Sequence, residues 1–306
     1  ETVFIVTADK FLDGVHPGIT RAVIGIHGIT RDPRTTYGAL TVMARELGAT
    51  SGTLIVAPQF LASVDIERHE VQPTAMFWPR SGWVQGDRSA PIAAVNQARV
   101  SSFAALDAIV ERLVERKSFP NLTHIVLVGH SAGGQLVNRY AAFGRAPGLL
   151  AGTGIAMRYV MMNPSSYLYF DDRRPADSPT GFAPFRRANC PSFNSYPHGI
   201  EYPNDYGARG SGNPAAQYAK AEIVYLVGAE DADPEGDFLD RSCAANAQGA
   251  TRRERGEAYF RYLIDYFGPG IAERQRLVVI PGIGHTSSGM IRSVCGRWAI
   301  FEREGC

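Results

Sequence analysis

Six short apolar runs punctuate this chain at near-regular intervals, and they constrain its fold more than any other feature. "AVIGIHG" (22–28), "TLIVAPQF" (53–60), "HIVLVGH" (124–130), "RYVMMNP" (158–164), "EIVYLVG" (222–228) and "RLVVIPG" (276–282) are rich in Val and Ile and bounded by Gly or Pro. Each reads as a strand, and the unbroken apolar character predicts burial on both faces, hence parallel pairing. Longer amphipathic segments separate them. Residues 101–118 put Phe103, Leu106, Ile109 or Val110, and Leu113 on one face behind Ser101 or Ser102 as cap. Residues 252–268 stop at Gly268-Pro269, and their basic start reads as a solvated face. Residues 36–48 and 133–143 also read as helices. The alternation predicts a doubly wound, mostly parallel α/β sheet with right-handed crossovers, residues 1–306 forming a single domain.

Two long segments interrupt the rhythm. Residues 61–98 contain "FWPRSGWVQGD"; residues 165–220 are rich in Pro, Tyr, Phe, Arg and Ser. Segments this long inside an α/β domain are usually functional, and both leave the C-terminal ends of strands, where ligands bind. Residues 165–220 are expected to be a cap inserted in the domain.

A net charge of +1 removes the electrostatic case for nucleic acid or an acidic membrane surface. No apolar run approaches the roughly 20 residues of a membrane span. The four cysteines form no CxxC pair, which argues against a zinc ribbon or thioredoxin-type site. They allow three pairings, or four reduced thiols; the preferred reading is Cys190–Cys243 with Cys295–Cys306, because Cys190 and Cys306 lie in irregular or terminal segments that gain from a staple. A chain starting at Glu1 is expected to be secreted or periplasmic with its signal removed, an artificial start being the alternative. Nothing in the pattern sets an oligomeric state.

The end of the third apolar run continues as Gly129-His130-Ser131-Ala132-Gly133. It fits G-x-S-x-G between a strand and a helix, the context in which a serine is turned sharply outward and the flanking positions must be glycine for steric reasons. Such a serine needs a base. Of seven histidines, His285 in "VVIPGIGHTSSGM" is the best placed, after the last strand and behind two glycines. His130 adjoins the serine but cannot readily reach round to it. His27 is expected to order its loop, and His16, His69, His124 and His198 have no supporting context. The acid should follow the strand at 222–228: Asp231 first, then Asp233, then Glu230. Asp231-x-Asp233-x-Glu235-Gly236 also resembles the start of a calcium loop, but position twelve is Ser242 rather than Glu. No metal is therefore expected.

An oxyanion site needs two N–H groups. Ala132 supplies one, and Ile29, after His27-Gly28, is the expected second. Arg31 and Arg34 either meet a polar part of the substrate or pair with a carboxylate such as Asp32. Trp78, Trp83, Tyr167 and Tyr169 either line an aromatic cleft or form loop core.

Taken together, His27-Gly28-Ile29, the Gly129–Gly133 elbow, Asp231 and His285 resemble the α/β-hydrolase superfamily over most of the chain. Within it the extended elbow "GHSAGGQ", the cysteines and the layout resemble secreted esterases of the feruloyl-esterase and polyhydroxyalkanoate-depolymerase type. The resemblance implies a Ser–His–Asp esterase without a cofactor, acting on a small or polymeric ester. Amide hydrolysis and acyl transfer use the same residues, and a non-catalytic binding module on the same fold is the alternative of a different class.

Overall fold

The computed structural model describes residues 3–92, 99–178, 181–210, 212–303 and 305–306. Its central sheet has seven strands: β1 (Val6–Ala8), β2 (Arg21–Ile26), β3 (Thr53–Pro58), β4 (His124–His130), β5 (Ala156–Met162), β6 (Glu222–Gly228) and β7 (Gln275–Ile280). Their spatial order is β1-β3-β2-β4-β5-β6-β7. β1 runs antiparallel to β3, and every other neighbouring pair is parallel. The six apolar runs are β2 to β7, with edges shifted by at most two residues. β1 was not anticipated, since three residues are too few to carry a periodic signal.

Alternation along the strands divides the core into two layers. Ile24, Ile125, Leu127, Ile223 and Tyr225 face one side, against Phe103 and Leu106 of α2 (Ser102–Leu113), Leu136 and Tyr140 of α3 (Ala132–Phe143), and Tyr259 and Leu263 of α4 (Arg252–Phe267). Val23, Val126, Val128, Val224 and Leu226 face the other, against Leu40 and Met43 of α1 (Pro33–Glu46) and the C-terminal helices α5 (Ser287–Arg292) and α6 (Val294–Phe301). A sheet covered on both faces explains why its strands read as continuous apolar runs.

The helices begin where their caps dictate. The Asp32 carboxylate accepts from the Arg34 N–H ahead of Pro33, and Ser101 Oγ accepts from the Phe103 N–H. Thr251 Oγ1 caps the Glu254 N–H, and the Glu254 carboxylate accepts from the Ala250 N–H one residue before the cap, fixing the entry of the chain. α2 ends at Leu113, earlier than its expected 118, and the chain continues in turns.

The two long segments have structure of their own. In the first, Leu61–Ala62 pairs with Phe77–Trp78 and a 3₁₀ turn spans Gly82–Gln85; residues 93–98 of the expected insertion lie outside the described residues. In the second, Arg173–Pro175 pairs with Phe182–Pro184, and short helices span Asp205–Ala208 and Pro214–Lys220; residues 179, 180 and 211 lie outside the described residues. Cys190–Cys243 ties this second segment to the chain after β6, and Cys295–Cys306 closes the C-terminal tail back onto α6.

Candidate active site

Only Ser131 separates the end of β4 from the start of α3, and its backbone is forced into φ 58°, ψ −120°. That left-handed φ is costly for a residue with a Cβ and persists only where the surroundings hold it. Ser131 N–H donates to the Met162 carbonyl at 2.8 Å, anchoring the turn to β5. The flanking glycines are steric necessities. A Cβ on Gly129 would come within 2.4 Å of the Gly133 backbone, and one on Gly133 within 2.6 Å of the Ile26 and His27 carbonyls. The second contact joins the elbow to the C-terminal end of β2.

His285 reaches the elbow from the loop after β7. Its Nε2 lies 3.0 Å from Ser131 Oγ and its Nδ1 2.7 Å from Asp231 Oδ2. The Asp231 side chain is buried while that of His285 is about one quarter exposed. An ionised carboxylate only accepts, so the Nδ1 position carries the proton and Nε2 is left to accept from the serine. Of the other acids on this loop, Asp233 is exposed and its Oδ1 accepts from the Glu235 N–H. Glu230 donates its backbone N–H to the Ile283 carbonyl, steadying the loop that carries His285. Asn163 ties the same strand ends together, its Oδ1 accepting from the Gly228 N–H and its Nδ2 donating to the Gly284 carbonyl.

Three groups surround this line, and the roles of two of them, Arg252 and His198, escaped the sequence. Arg252 is one: the start of α4 is not a solvated face, because Arg252 and Arg255 are buried. Arg252 Nη1 lies 3.3 Å from Asp231 Oδ1, Nε donates to Ser165 Oγ, and Nη2 donates to the Asp237 carbonyl. Burial lowers the Arg252 pKa, and the charge of Asp231 opposes that shift. His130 is the second. Its buried ring lies 4.5 Å from that of His285, and burial, reinforced by His285 and Arg252, pushes its pKa well below the ordinary histidine value. It packs against His285 rather than reaching Ser131. The third is His198, which has a partner in Asp240 at 2.8 Å. No periodicity reports a pairing between residues 42 positions apart.

Ala132 is the first residue of α3, so its N–H has no intrahelical acceptor and sits at the positive end of the helix dipole. The Ile29 N–H makes no backbone hydrogen bond among the described residues. The loop carrying it presses on the elbow, with the Gly28 Cβ position 3.9 Å from the His130 carbonyl and the Ser131 Cβ. His27 fixes this loop: its Nδ1 bonds the Gly28 carbonyl and its Nε2 accepts from the Phe60 N–H, both at 2.9 Å. Burial holds its pKa down to about 4, keeping it neutral.

Ile29 and Ala132 both open onto a cleft of about 360 Å³ that is also lined by Gln135, His198, Phe238 and Asp240. Of the two readings open for the aromatics of the long segments, loop core is the one that holds. Trp78 and Trp83 are fully buried: Trp83 stacks on Phe60 at 5.6 Å and edges onto His27 at 4.7 Å, beneath the Ile29 loop. Tyr167 stacks on Tyr259 at 4.5 Å and Tyr169 packs on Tyr262 at 4.4 Å, both fully buried. These rings join the core on the sheet face that carries Ile24, Leu127 and Tyr225, and tie the two long segments to it. Arg31 is likewise engaged, donating to Asp65 at 2.5 Å and to the Ile29 carbonyl. It braces the loop rather than facing the cleft. Arg34 pairs with Asp32 at 2.9 Å.

No family model matches the sequence, and no curated protein matches it. Among solved structures, the chain is similar to poly(aspartic acid) hydrolase-1 from Sphingomonas sp. KT-1, with 20% identity and a TM-score of 0.60, covering 97% of this chain and 93% of that one. It is also similar to the LpqC poly(3-hydroxybutyrate) depolymerase from Bordetella parapertussis, with 21% identity and a TM-score of 0.61, covering 99% of this chain and 85% of that one. At these identities the likeness establishes the α/β-hydrolase fold.

Proposed function

We propose that this chain is a serine hydrolase that cleaves carboxylic esters through an acyl-enzyme. The observation that carries the reading is the hydrogen-bonded line from Ser131 Oγ through both ring nitrogens of His285 to buried Asp231. As His285 Nε2 takes the Ser131 proton, Ser131 Oγ attacks the ester carbonyl, and the negative charge developing on its oxygen is met by the N–H groups of Ile29 and Ala132. The tetrahedral intermediate collapses, and the imidazolium returns the proton to the leaving alkoxide, releasing an alcohol. A water molecule then repeats the sequence on the acyl-serine, with His285 as base. Asp231 holds the tautomer and stabilises the imidazolium throughout.

The two similar structures, a poly(aspartic acid) hydrolase and a poly(3-hydroxybutyrate) depolymerase, support hydrolysis at an acyl carbon and include polymers among the substrates to try. On this reading residues 1–306 are one catalytic domain, and the segment 165–220 is its cap, contributing His198 to the cleft wall. Two disulfides suit an oxidising compartment, which supports a secreted or periplasmic protein. No helix among the described residues is long and apolar enough to cross a membrane.

The test is a panel of feruloyl, acetyl-sugar, triglyceride and polyester substrates alongside short p-nitrophenyl esters, run with the wild type and Ser131→Ala. Turnover that the substitution abolishes is expected; turnover that survives it would overturn the assignment.

A further inference from the structure

The cleft lined by Ile29 and by Ala132, the residue after Ser131, presents two hydrogen-bonding groups whose polarity is fixed from behind. Gln135, one turn into α3, has its Oε1 occupied twice, accepting from Arg139 Nη2 and from Ser166 Oγ, both at 3.1 Å. Both neighbours donate: Arg139 Nη2 also gives a hydrogen bond to Ser166 Oγ, which leaves the serine proton for Gln135. The orientation of the Gln135 amide follows, with oxygen toward Arg139 and the NH₂ group away from it. That NH₂ makes no hydrogen bond among the described residues, yet it is not among the polar atoms sealed from solvent. Gln135 lines the cleft, and its free side is a donor.

His198 is the complement. Asp240 accepts from its Nε2, and Asp240 Oδ1 also accepts from the Ser242 N–H at 2.9 Å. Burial works against ionisation of Asp240, but these hydrogen bonds and the neighbouring charge hold its pKa well below the usual carboxylate range. A carboxylate donates nothing, so the shared hydrogen belongs to Nε2. Burial, opposed by the Asp240 hydrogen bond and helped by Arg139 and Arg174, lowers the His198 pKa, so the ring is neutral and Nδ1 keeps its lone pair. Nδ1 makes no hydrogen bond among the described residues and, like the Gln135 amide, is not sealed off. Arg255 holds the Asp240 carbonyl at 2.8 Å. The Cys190–Cys243 disulfide clamps the two strands of chain that bring His198 and Asp240 together. This is a braced acceptor on the wall of the cleft that Ile29 and Ala132 enter.

We propose that Gln135 and His198 read the substrate, recognising a neutral group that both accepts and donates a hydrogen bond, a hydroxyl or a secondary amide, next to the ester carbonyl attacked by Ser131. This rests on the serine-hydrolase reading above and deepens it. A plain alkyl ester, or an interior unit of a polyester, offers only acceptors, so it satisfies Gln135 and leaves His198 Nδ1 unpaired. A hydroxyl or amide satisfies both. Exposed Phe238, on the rim of the same cleft, gives the remaining chain an apolar surface.

The experiment compares kcat/KM on length-matched ester pairs: p-nitrophenyl 3-hydroxybutanoate against butanoate, p-nitrophenyl N-acetylglycinate against pentanoate, and 2-hydroxyethyl butanoate against propyl butanoate. Wild-type enzyme should favour the bearing member by about tenfold or more in at least one pair, because a site built to bond a polar group rejects the analogue lacking it. Which pair shows the preference distinguishes hydroxyl from amide and acyl side from alcohol side. Asp240→Asn can donate to Nε2 and so turn Nδ1 into a donor; Gln135→Glu keeps the acceptor for Arg139 and Ser166 but loses the NH₂. Each should compress the preference to about twofold or less. Fluorophosphonate labelling of Ser131 in each variant reports an assembled site. A wild type indifferent to all three pairs, or labelled variants that keep the preference, would overturn the proposal while leaving the hydrolase reading intact. Absence of both labelling and turnover in the wild type would overturn both.

Discussion

Arg252 lies on the carboxylate oxygen of Asp231 that His285 leaves free, 3.3 Å from Oδ1, with both side chains buried. The acid is therefore held at both oxygens, toward the imidazole on one side and the guanidinium on the other. Arg252 reaches it from the first turn of α4 with its remaining nitrogens on Ser165 and Asp237.

Removing that guanidinium frees the carboxylate to rotate and leaves one oxygen unpaired. Arg252→Met should lower kcat on a short ester by roughly tenfold and cost about 1.5–3 kcal/mol of stability, the range for a lost bond to a charged group. Arg252→Lys should recover part of the rate, since it restores charge near Asp231 without the bonds to Ser165 and Asp237. Steady-state kinetics and urea unfolding check both figures. An unchanged kcat in Arg252→Met would deny Arg252 any part in positioning the acid.

Gly133 and Gly38 should respond oppositely to alanine. At Gly133 the new Cβ meets the carbonyl oxygens of Ile26, the last residue of β2, and of His27 just beyond it, both at 2.6 Å, and backbone cannot yield as a flexible side chain can. A loss of about 1–3 kcal/mol or more is expected, with loss of the elbow geometry and so of activity. At Gly38, inside α1, nothing lies within 4 Å; alanine there should gain about 0.5–1 kcal/mol from helix propensity. Thermal melts of the two variants make the comparison.

Much of this molecule was legible in its sequence for identifiable reasons. Strands buried on both faces advertise themselves as apolar runs, and the sharp turn at Ser131 demands glycines at fixed offsets. Both signals are local. What stayed hidden is non-local. The sequence leaves Trp83 open between cleft lining and loop core, and only Phe60 stacked on it and His27 edge-on to it decide for core. Arg252 reads as a solvated helix start until Asp231 is found beneath it. His198 has no neighbour in sequence to hint at Asp240. A buried polar group is defined by its partner, and no spacing rule names a partner carried by another loop.

His27 supplies a pH dependence with a definite sign. Burial lowers its pKa from 6.5 to about 4 in the folded chain. The unfolded chain thus takes up a proton first as pH falls, and stability drops with it. The contribution is fully present above about pH 6.5 and is lost progressively as pH falls toward 4, amounting to about 3 kcal/mol at the lower end. His130 and His198 are lowered in the same direction and steepen the fall. Unfolding free energies from pH 7 to 4 should show a shallower decline in His27→Gln than in the wild type. Parallel curves would contradict a neutral, buried His27.

The two disulfides should differ in weight. Cys190–Cys243 spans 53 residues and Cys295–Cys306 spans 11. Chain-entropy estimates give about 4 and about 3 kcal/mol respectively. The longer bridge also clamps the His198–Asp240 wall. Replacing Cys190 and Cys243 by Ser should therefore lower the melting temperature more than replacing Cys295 and Cys306, and should raise KM while the shorter bridge's removal leaves KM unchanged. Calorimetry and kinetics on the two double variants decide.

The most direct measurement is a rapid-mixing experiment with p-nitrophenyl butanoate at substrate excess, followed by intact-mass analysis of acid-quenched protein. A burst of p-nitrophenol approaching one equivalent per chain is expected if deacylation is the slower step. The protein should carry a butanoyl adduct on the peptide containing Ser131. Ser131→Ala should show neither burst nor adduct, and turnover lower by roughly 10⁴-fold or more. Hydrolysis that persists in Ser131→Ala, or an adduct on any other residue, would contradict Ser131 as the nucleophile.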